Sequence, residues 1–381
     1  MTYKTYITAM AKYLPNEPVA NDHMEELLGK INGRPSRARS IVLKNNGIHS
    51  RHYAIDTEGN FTHTNAELAA NAIRELFSPS FGIGDMELLC CATTIPDQLI
   101  PSHAAMVQGC LGCSDIEIVS TAGVCCSGMM AMKYGMMSIL SGNTKNAVCA
   151  ASEHASSMFL ARNFETEIAN LTKLESRPIL AFEKDFLRWM LSDGAGAVLL
   201  QSQPNSEDGG ISLQIDWIDT SSFAGQIDVC MYAGAKKDGD GRLIGWKTLP
   251  PSAWLDQSIF SVKQDVSILE KHVIKLGVQK LSECLRRHDL KAEDIDYFLP
   301  HLSSEYFRAP LIEELQEQGI PIPQDRWFTN LTHVGNVGSA SIYLMLEELF
   351  SSGRLDRGMK ILCLVPESAR FTYAIMVLTV C

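Results

Sequence analysis

Along this chain, short continuous apolar runs alternate with stretches whose apolar residues recur at helical spacing. "ELLCCATT" (87–94), "IEIVS" (116–120), "NAVCAAS" (146–152) and "GAVLLQS" (196–202) are too short for helices and read as buried strands. Between them, "TNAELAANAIRELF" (64–77) puts Leu68, Ala69, Ala72, Ile73 and Leu76 on one face, which predicts an amphipathic helix. "PSHAAMVQGCLG" (101–112) opens with Pro-Ser and closes on Gly, the punctuation of a capped helix. Further on, the pattern predicts a long helix over 254–288 and a strand at "IDYFLPH" (295–301). Helices over 304–318 and 338–353 follow, and "KILCLVPES" and "FTYAIMVLTV" close the chain as strands. The stretch 203–250 is rich in glycine and mixed charge and reads as a junction with a surface excursion.

Strands alternating with helices define an α/β protein. The halves share a plan. Each has a core helix entered through a small-residue turn, "CCSGMMAM" in the first and "GNVGSASIYLML" in the second. Each then ends in a small-residue loop and a strand, "SDGAGAVLL" and "SARFTYAIMVLTV". This weak internal repeat suggests duplication, with halves at 1–205 and 206–381.

The length of 381 residues exceeds one ordinary core and agrees with two such units. With 46% hydrophobic and 20% charged residues the chain has the balance of a soluble globular enzyme. The N-terminal "MTYKTYITAMAKYLPNE" alternates polar and apolar residues and has no leader-like apolar run, so a cytoplasmic protein is expected. The longest low-charge stretch, 120–140, contains serines, glycines and Lys133, and suits a core helix better than a membrane span. A net charge of -11 argues against a nucleic-acid partner. One run opposes the acidic trend: from Lys30 to Lys44 there are Lys30, Arg34, Arg37, Arg39 and Lys44 and no acid. Such a run is a solvated face or a docking patch for an anionic partner. The 11 cysteines are scattered through apolar runs, as small hydrophobes in a reducing compartment. Cys110 and Cys113 have CxxC spacing, but no second pair or nearby histidine completes a site, so no metal is expected.

The chemistry concentrates at "STAGVCCSGMMAMKYGMMSIL" (120–140). Cys126 falls at the N-terminal end of a helix that is apolar on nearly every face, where unsatisfied N–H groups and the helix dipole favour a thiolate. A structural pair of thiols in a packed turn accounts for this stretch equally well. Cys-Ser-Gly-Met from position 126 decides between the two cysteines, because it resembles the nucleophile motif of the ketoacyl synthase III branch of the thiolase-fold condensing enzymes. "GIHSRHYA" (47–54), "CATTIPDQLIPSHAAMVQGCLG" (91–112), "LSDGAGAVLL", "FLPHLSS" (298–304) and "HVGNVGSAS" (333–341) are similar to further segments of that family, in order along the chain.

The resemblance implies a thiolase-like five-layer αβαβα fold, a homodimer, and acyl carrier protein or coenzyme A thioesters as substrates, with no cofactor. It implies that Cys126 holds the acyl group, while His301 and Asn336 donate hydrogen bonds to the second thioester. The oxyanion hole would be the N–H groups of Cys126 and Ala369. Lys30, Arg34, Arg37, Arg39 and Arg51 would receive the carrier or its phosphopantetheine. Where the simple initiating enzymes have Gly-Gly-Gly-Phe, this chain has Ser368, Ala369, Arg370 and Phe371, and "LSSEYF" follows His301. Together with "GRPSRARSIVLKNNGIHSRHYA", these segments look most like the DarB-type ketosynthases of dialkylresorcinol pathways. That likeness implies joining a 3-oxoacyl and a second fatty acyl thioester into a cyclohexanedione. Decarboxylative condensation with malonyl carrier protein, as in fatty acid or polyketide initiation, is the alternative, with acyl transfer to a hydroxyl or amine a third. A non-catalytic partner subunit is the alternative from another class, and the joint survival of Cys126, His301 and Asn336 speaks against it.

Overall fold

A computed structural model describes residues 4–36, 39–165, 187–206 and 210–381. Its frame is a mixed sheet of nine strands. These are β1 (Tyr6–Tyr13), β2 (Leu88–Thr93), β3 (Glu117–Ala122), β4 (Asn146–Glu153), β5 (Gly194–Gln201), β6 (Leu213–Ser222), β7 (Tyr297–Pro300), β8 (Lys360–Glu367) and β9 (Thr372–Val380). Their order is β7-β8-β9-β6-β1-β5-β4-β2-β3. β2 runs parallel to both β3 and β4, and β7 runs parallel to β8; the remaining pairs are antiparallel. The sheet pinches between β1 and β6, which pair only through Tyr6–Gln214 and Ile7–Leu213. Strands from the first half of the chain lie on one side of that pinch and strands from the second half on the other.

Alternation along the strands builds the layers, since successive side chains point to opposite faces. In β2, Leu89 and Cys91 face one apolar cluster, shared with the helices α1 (Asn65–Arg74) and α2 (His103–Leu111). Leu88, Cys90 and Ala92 face a second cluster with α3 (Ser127–Leu140) and α6 (Ser341–Ser351). Ile361, Cys363 and Val365 of β8 enter that same central cluster from the other arm of the sheet. Leu362 and Leu364 point the opposite way, against α4 (Val266–Arg287) and α5 (Arg308–Glu317). The result is five layers, αβαβα. Helices α3 and α6 are sandwiched between the two arms, and this is why they are apolar nearly all round.

The helix boundaries follow from the residues. Thr64 and Glu67 form a reciprocal capping box at the start of α1. Ser102 accepts the Ala105 N–H, and Gly112, at φ 72°, ends α2 in the left-handed conformation.

Two expectations need correction. The stretch 203–250 is not only a junction: it contains β6, a ten-residue strand inside the main sheet. Its alternation is interrupted by a bulge opposite Val377–Leu378, which moves burial from Leu213 and Ile215 to Ile218. The helix expected over 254–288 is interrupted as well. It forms Pro251–Asp256 and Val266–Arg287, with Lys263–Gln264 between them pairing with Met231–Tyr232. Asp265 restarts the helix by accepting the Ile268 N–H. No helix among the described residues is long and apolar enough to cross a membrane.

Candidate active site

A cavity opens where strand ends and loops from both halves meet. Its polar wall carries Thr94 after β2, Cys125 before α3, Glu153 and His154 at the end of β4, His301 after β7, Asn336, and Ser368 after β8. Much of the rest is apolar, with Met158, Phe159, Leu187, Met190, Leu191, Leu269 and Val273 in the lining. A smaller adjoining cavity shares His301, Ser303, Val273 and Pro366 with it.

Cys126 caps α3, as the sequence predicts. Its thiol, however, does not lie on the cavity wall: Sγ is within 3.1 Å of the Val365 carbonyl and 3.5 Å of the Thr372 carbonyl, and the residue is fully buried. Cys125 is the thiol that lines the cavity. The expectation that Cys126 points into the tunnel is therefore corrected for this arrangement, in which the end of the β8–β9 hairpin holds its thiol. Burial raises the pKa of both thiols, and the Glu367 carboxylate adds to the effect. Glu367 also accepts the N–H groups of Val124 at 2.8 Å and Cys126 at 3.1 Å. The carboxylate lies close to Gly123, where a Cβ would be 3.2 Å from Glu367 Oε2, a tight contact. The Cys126 N–H assigned to an oxyanion hole is thus held by a carboxylate.

The first turn of α3 is pressed against the loop carrying Asn336. A Cβ at Gly128 would clash with the Ser339 carbonyl and with Tyr343, whose hydroxyl donates to the Gly128 carbonyl at 2.8 Å. Asn336 is fixed through its backbone: its N–H donates to Met190 O (3.2 Å) and its carbonyl accepts the Ser192 N–H (2.9 Å). Its Oδ1 accepts the Gly338 N–H at 3.0 Å, which leaves the amide NH₂ for the cavity. His301 leaves β7 with its N–H on Leu364 O at 2.8 Å. Its Nε2 is buried with no hydrogen-bond partner among the described residues. Burial lowers its pKa to about 4, so the ring is neutral at physiological pH. His301 and Asn336 line one cavity.

Two wall residues at the end of β4, Glu153 and His154, are not singled out by the motifs above. They line the cavity of their own chain. Glu153 accepts the hydroxyls of Thr94 and Ser339, each at 2.6 Å, and so joins β4 to the Asn336 loop. Its pKa is raised by burial, against the opposing hydrogen bonds of Ser339 and Thr94.

Ala369 is not on the wall. Its carbonyl accepts the N–H groups of Cys230 (3.0 Å) and Met231 (3.2 Å), and the turn shows Pro366 and Ser368 to the cavity instead. The docking residues also separate. Lys30 and Arg34 are exposed. Arg39 is engaged by Glu25 at 3.0 Å and Asp22 at 3.2 Å, which takes up its charge. Arg51 is fully buried, bonded to Asn21 Oδ1 (2.9 Å) and the Trp189 carbonyl (3.3 Å), so it cannot meet a carrier at the surface. Arg37 lies outside the described residues.

Residues 285–380 match the family described as 3-oxoacyl-[acyl-carrier-protein] synthase III C terminal. Over 373 residues the chain is 23% identical to a beta-ketoacyl-[acyl-carrier-protein] synthase III of Chlorobaculum tepidum, covering 97% of each. Its fold is that of AbyA1, a tetronic acid condensing enzyme (TM-score 0.75, 22% identity, 98% of this chain and 99% of that one). It is also that of Xanthomonas campestris OleA, solved with lauric acid and lauroyl-CoA (TM-score 0.72, 19% identity, all of both chains).

Proposed function

Taking the chain as a condensing acyltransferase of the 3-oxoacyl-[acyl-carrier-protein] synthase III type, we propose that it joins two acyl thioesters in a Claisen condensation through an acyl-cysteine. One observation carries this: an imidazole nitrogen with no partner among the described residues and a carboxamide share a largely apolar cavity with the thiol-bearing turn at the head of α3. In the first half-reaction a cysteine sulfur attacks the thioester carbonyl, the carrier thiol leaves, and the acyl chain occupies the apolar lining. In the second, the enolate oxygen of the other thioester is held by His301 and Asn336, and its Cα attacks the acyl-cysteine.

Cys126 is the proposed nucleophile. It caps the helix, and Gly128, two residues on, packs its turn against the Asn336 loop. Its thiol must then change χ1 rotamer when the thioester arrives. Cys125 is the second reading, favoured by its place on the cavity wall. Intact-protein mass after incubation with an acyl thioester separates them: the adduct disappears in Cys126→Ala on the first reading and in Cys125→Ala on the second.

The proposed substrates are a 3-oxoacyl and a fatty acyl thioester, giving a cyclohexanedione precursor of dialkylresorcinols. Support comes from the apolar lining, which suits alkyl chains, and from "ESARF" and "PHLSSEYF". Product mass distinguishes a cyclic dione from a linear 3-oxoacyl product. Lys30 and Arg34 are the exposed cations that would meet an anionic carrier.

A further inference from the structure

We propose that His154 is a catalytic base that takes the α-proton of the second thioester, so that carbon–carbon bond formation proceeds without loss of carbon dioxide. This rests on the condensing chemistry above and names its substrate class: an ordinary acyl or 3-oxoacyl thioester, not a malonyl one.

His154 stands where β4 ends, with φ -114° and ψ 62°. The preceding Glu153 is pinned by Thr94 and Ser339, so the position of the imidazole is fixed from its N-terminal side. The ring packs edge-on against Phe61, with centroids 4.8 Å apart. It lies on the wall that also carries His301 and Asn336. Its Nε2 is buried and has no hydrogen-bond partner among the described residues. Buried polar nitrogen is costly when unpaired, so an unpaired one on a residue of the cavity wall is one that a ligand can complete.

The surroundings suit a base. Asp193 is fully buried, accepts the N–H groups of Ala54 (2.7 Å) and Ser156 (2.8 Å), and interacts electrostatically with His154. It supplies a negative partner for an imidazolium formed during the reaction. Among the described residues no such partner acts on His301, whose pKa is lowered by burial. The two histidines thus divide the work: His301 donates to the enolate oxygen and His154 takes the proton.

The step balances. The Cα–H bond breaks, the proton passes to His154 Nε2, and the electron pair moves to the thioester oxygen held by His301 and Asn336. The Cα of this enolate then attacks the acyl-cysteine carbonyl. A carbon–carbon bond forms, the carbon–sulfur bond breaks, and the thiolate recovers the proton from His154. A malonyl substrate would need no base, because breaking its carboxylate bond provides the electron pair.

The test uses the full chain with octanoyl-CoA in D₂O, following deuterium entry at Cα and, separately, the acyl-enzyme adduct by mass. Wild type should exchange, and H154Q should exchange at least ~100-fold more slowly while still forming the adduct. Exchange by H154Q within threefold of wild type, or no exchange by wild type, overturns the assignment. A second measurement needs no variant: wild type should form a product from octanoyl-CoA and 3-oxooctanoyl-CoA, and the assignment fails if only malonyl-CoA serves as nucleophile. Absence of any acyl adduct on wild type would instead remove the condensing reaction itself.

Discussion

Glu367 Oε2 accepts the backbone N–H of Cys126 at 3.1 Å, so the donor expected to hold a thioester oxyanion is held by a buried carboxylate. The same oxygen takes the Val124 N–H, and the turn from Gly123 to Cys126 closes around it as a small anion-binding nest. Besides burial, the Glu367 charge disfavours a thiolate at both cysteines.

Glu367→Gln keeps an acceptor for the two N–H groups and removes the charge. The thiol pKa should fall, and iodoacetamide labelling of the cysteine turn at pH 8 should rise ~10-fold, the equivalent of about one pKa unit. Glu367→Ala should also lower the melting temperature, because it leaves both donors unpaired. An unchanged or raised labelling midpoint in E367Q would show that the carboxylate is only a cap.

Gly128→Ala places a methyl group against the Ser339 carbonyl and the Tyr343 ring, both fixed in the core. Overpacking of this kind costs about 1–3 kcal/mol. Urea unfolding should show that loss, and condensation should fall further than thiol labelling because the displaced loop carries Asn336. A variant as stable and active as wild type would mean that the contact does not constrain the site.

His301 gives stability a pH dependence of known sign. Its pKa falls from 6.5 unfolded to about 4 folded, so the unfolded state binds more protons between these values. The folded state therefore has this contribution in full above pH 6.5 and loses it as the pH falls toward 4. Between pH 7 and pH 4.5 the loss should be about 2 kcal/mol, and it should be missing from His301→Gln. The same pH slope in wild type and variant would contradict a buried neutral imidazole.

Leu269→Trp fills part of the apolar lining of the cavity. kcat/KM for a dodecanoyl thioester should fall more than ~10-fold while that for butyryl changes little, since lost burial counts at roughly 0.8 kcal/mol per methylene. Equal losses for both chains would place the acyl group elsewhere.

Much of the fold is readable from pattern alone. Leu68, Ala69, Ala72 and Ile73 announce α1, and Thr64 with Glu67 marks its start. β6 is hidden because its bulge breaks the alternation after Trp217, and the glycine-rich segments beside it read as loop. Lys263 disguises the break before α4: a lysine in a helical period looks like a solvent face, yet here its ammonium is buried on the Ser258 carbonyl at 2.8 Å. In the site, the residue types of His301 and Asn336 and their place after strand and turn are legible. The direction of each thiol is not, because it depends on Glu367 and Val365, some 240 positions away. Arg51 fails as a docking residue for a related reason: a charged side chain predicts exposure, and only tertiary packing shows it bonded inside.

The central claim is that Cys126 carries the acyl chain. Its most direct test is peptide mapping by tandem mass spectrometry after a single turnover with an acyl thioester. The acyl mass should sit on Cys126, vanish in Cys126→Ala and persist in Cys125→Ala. An adduct localised to Cys125, or one that survives Cys126→Ala, would contradict it.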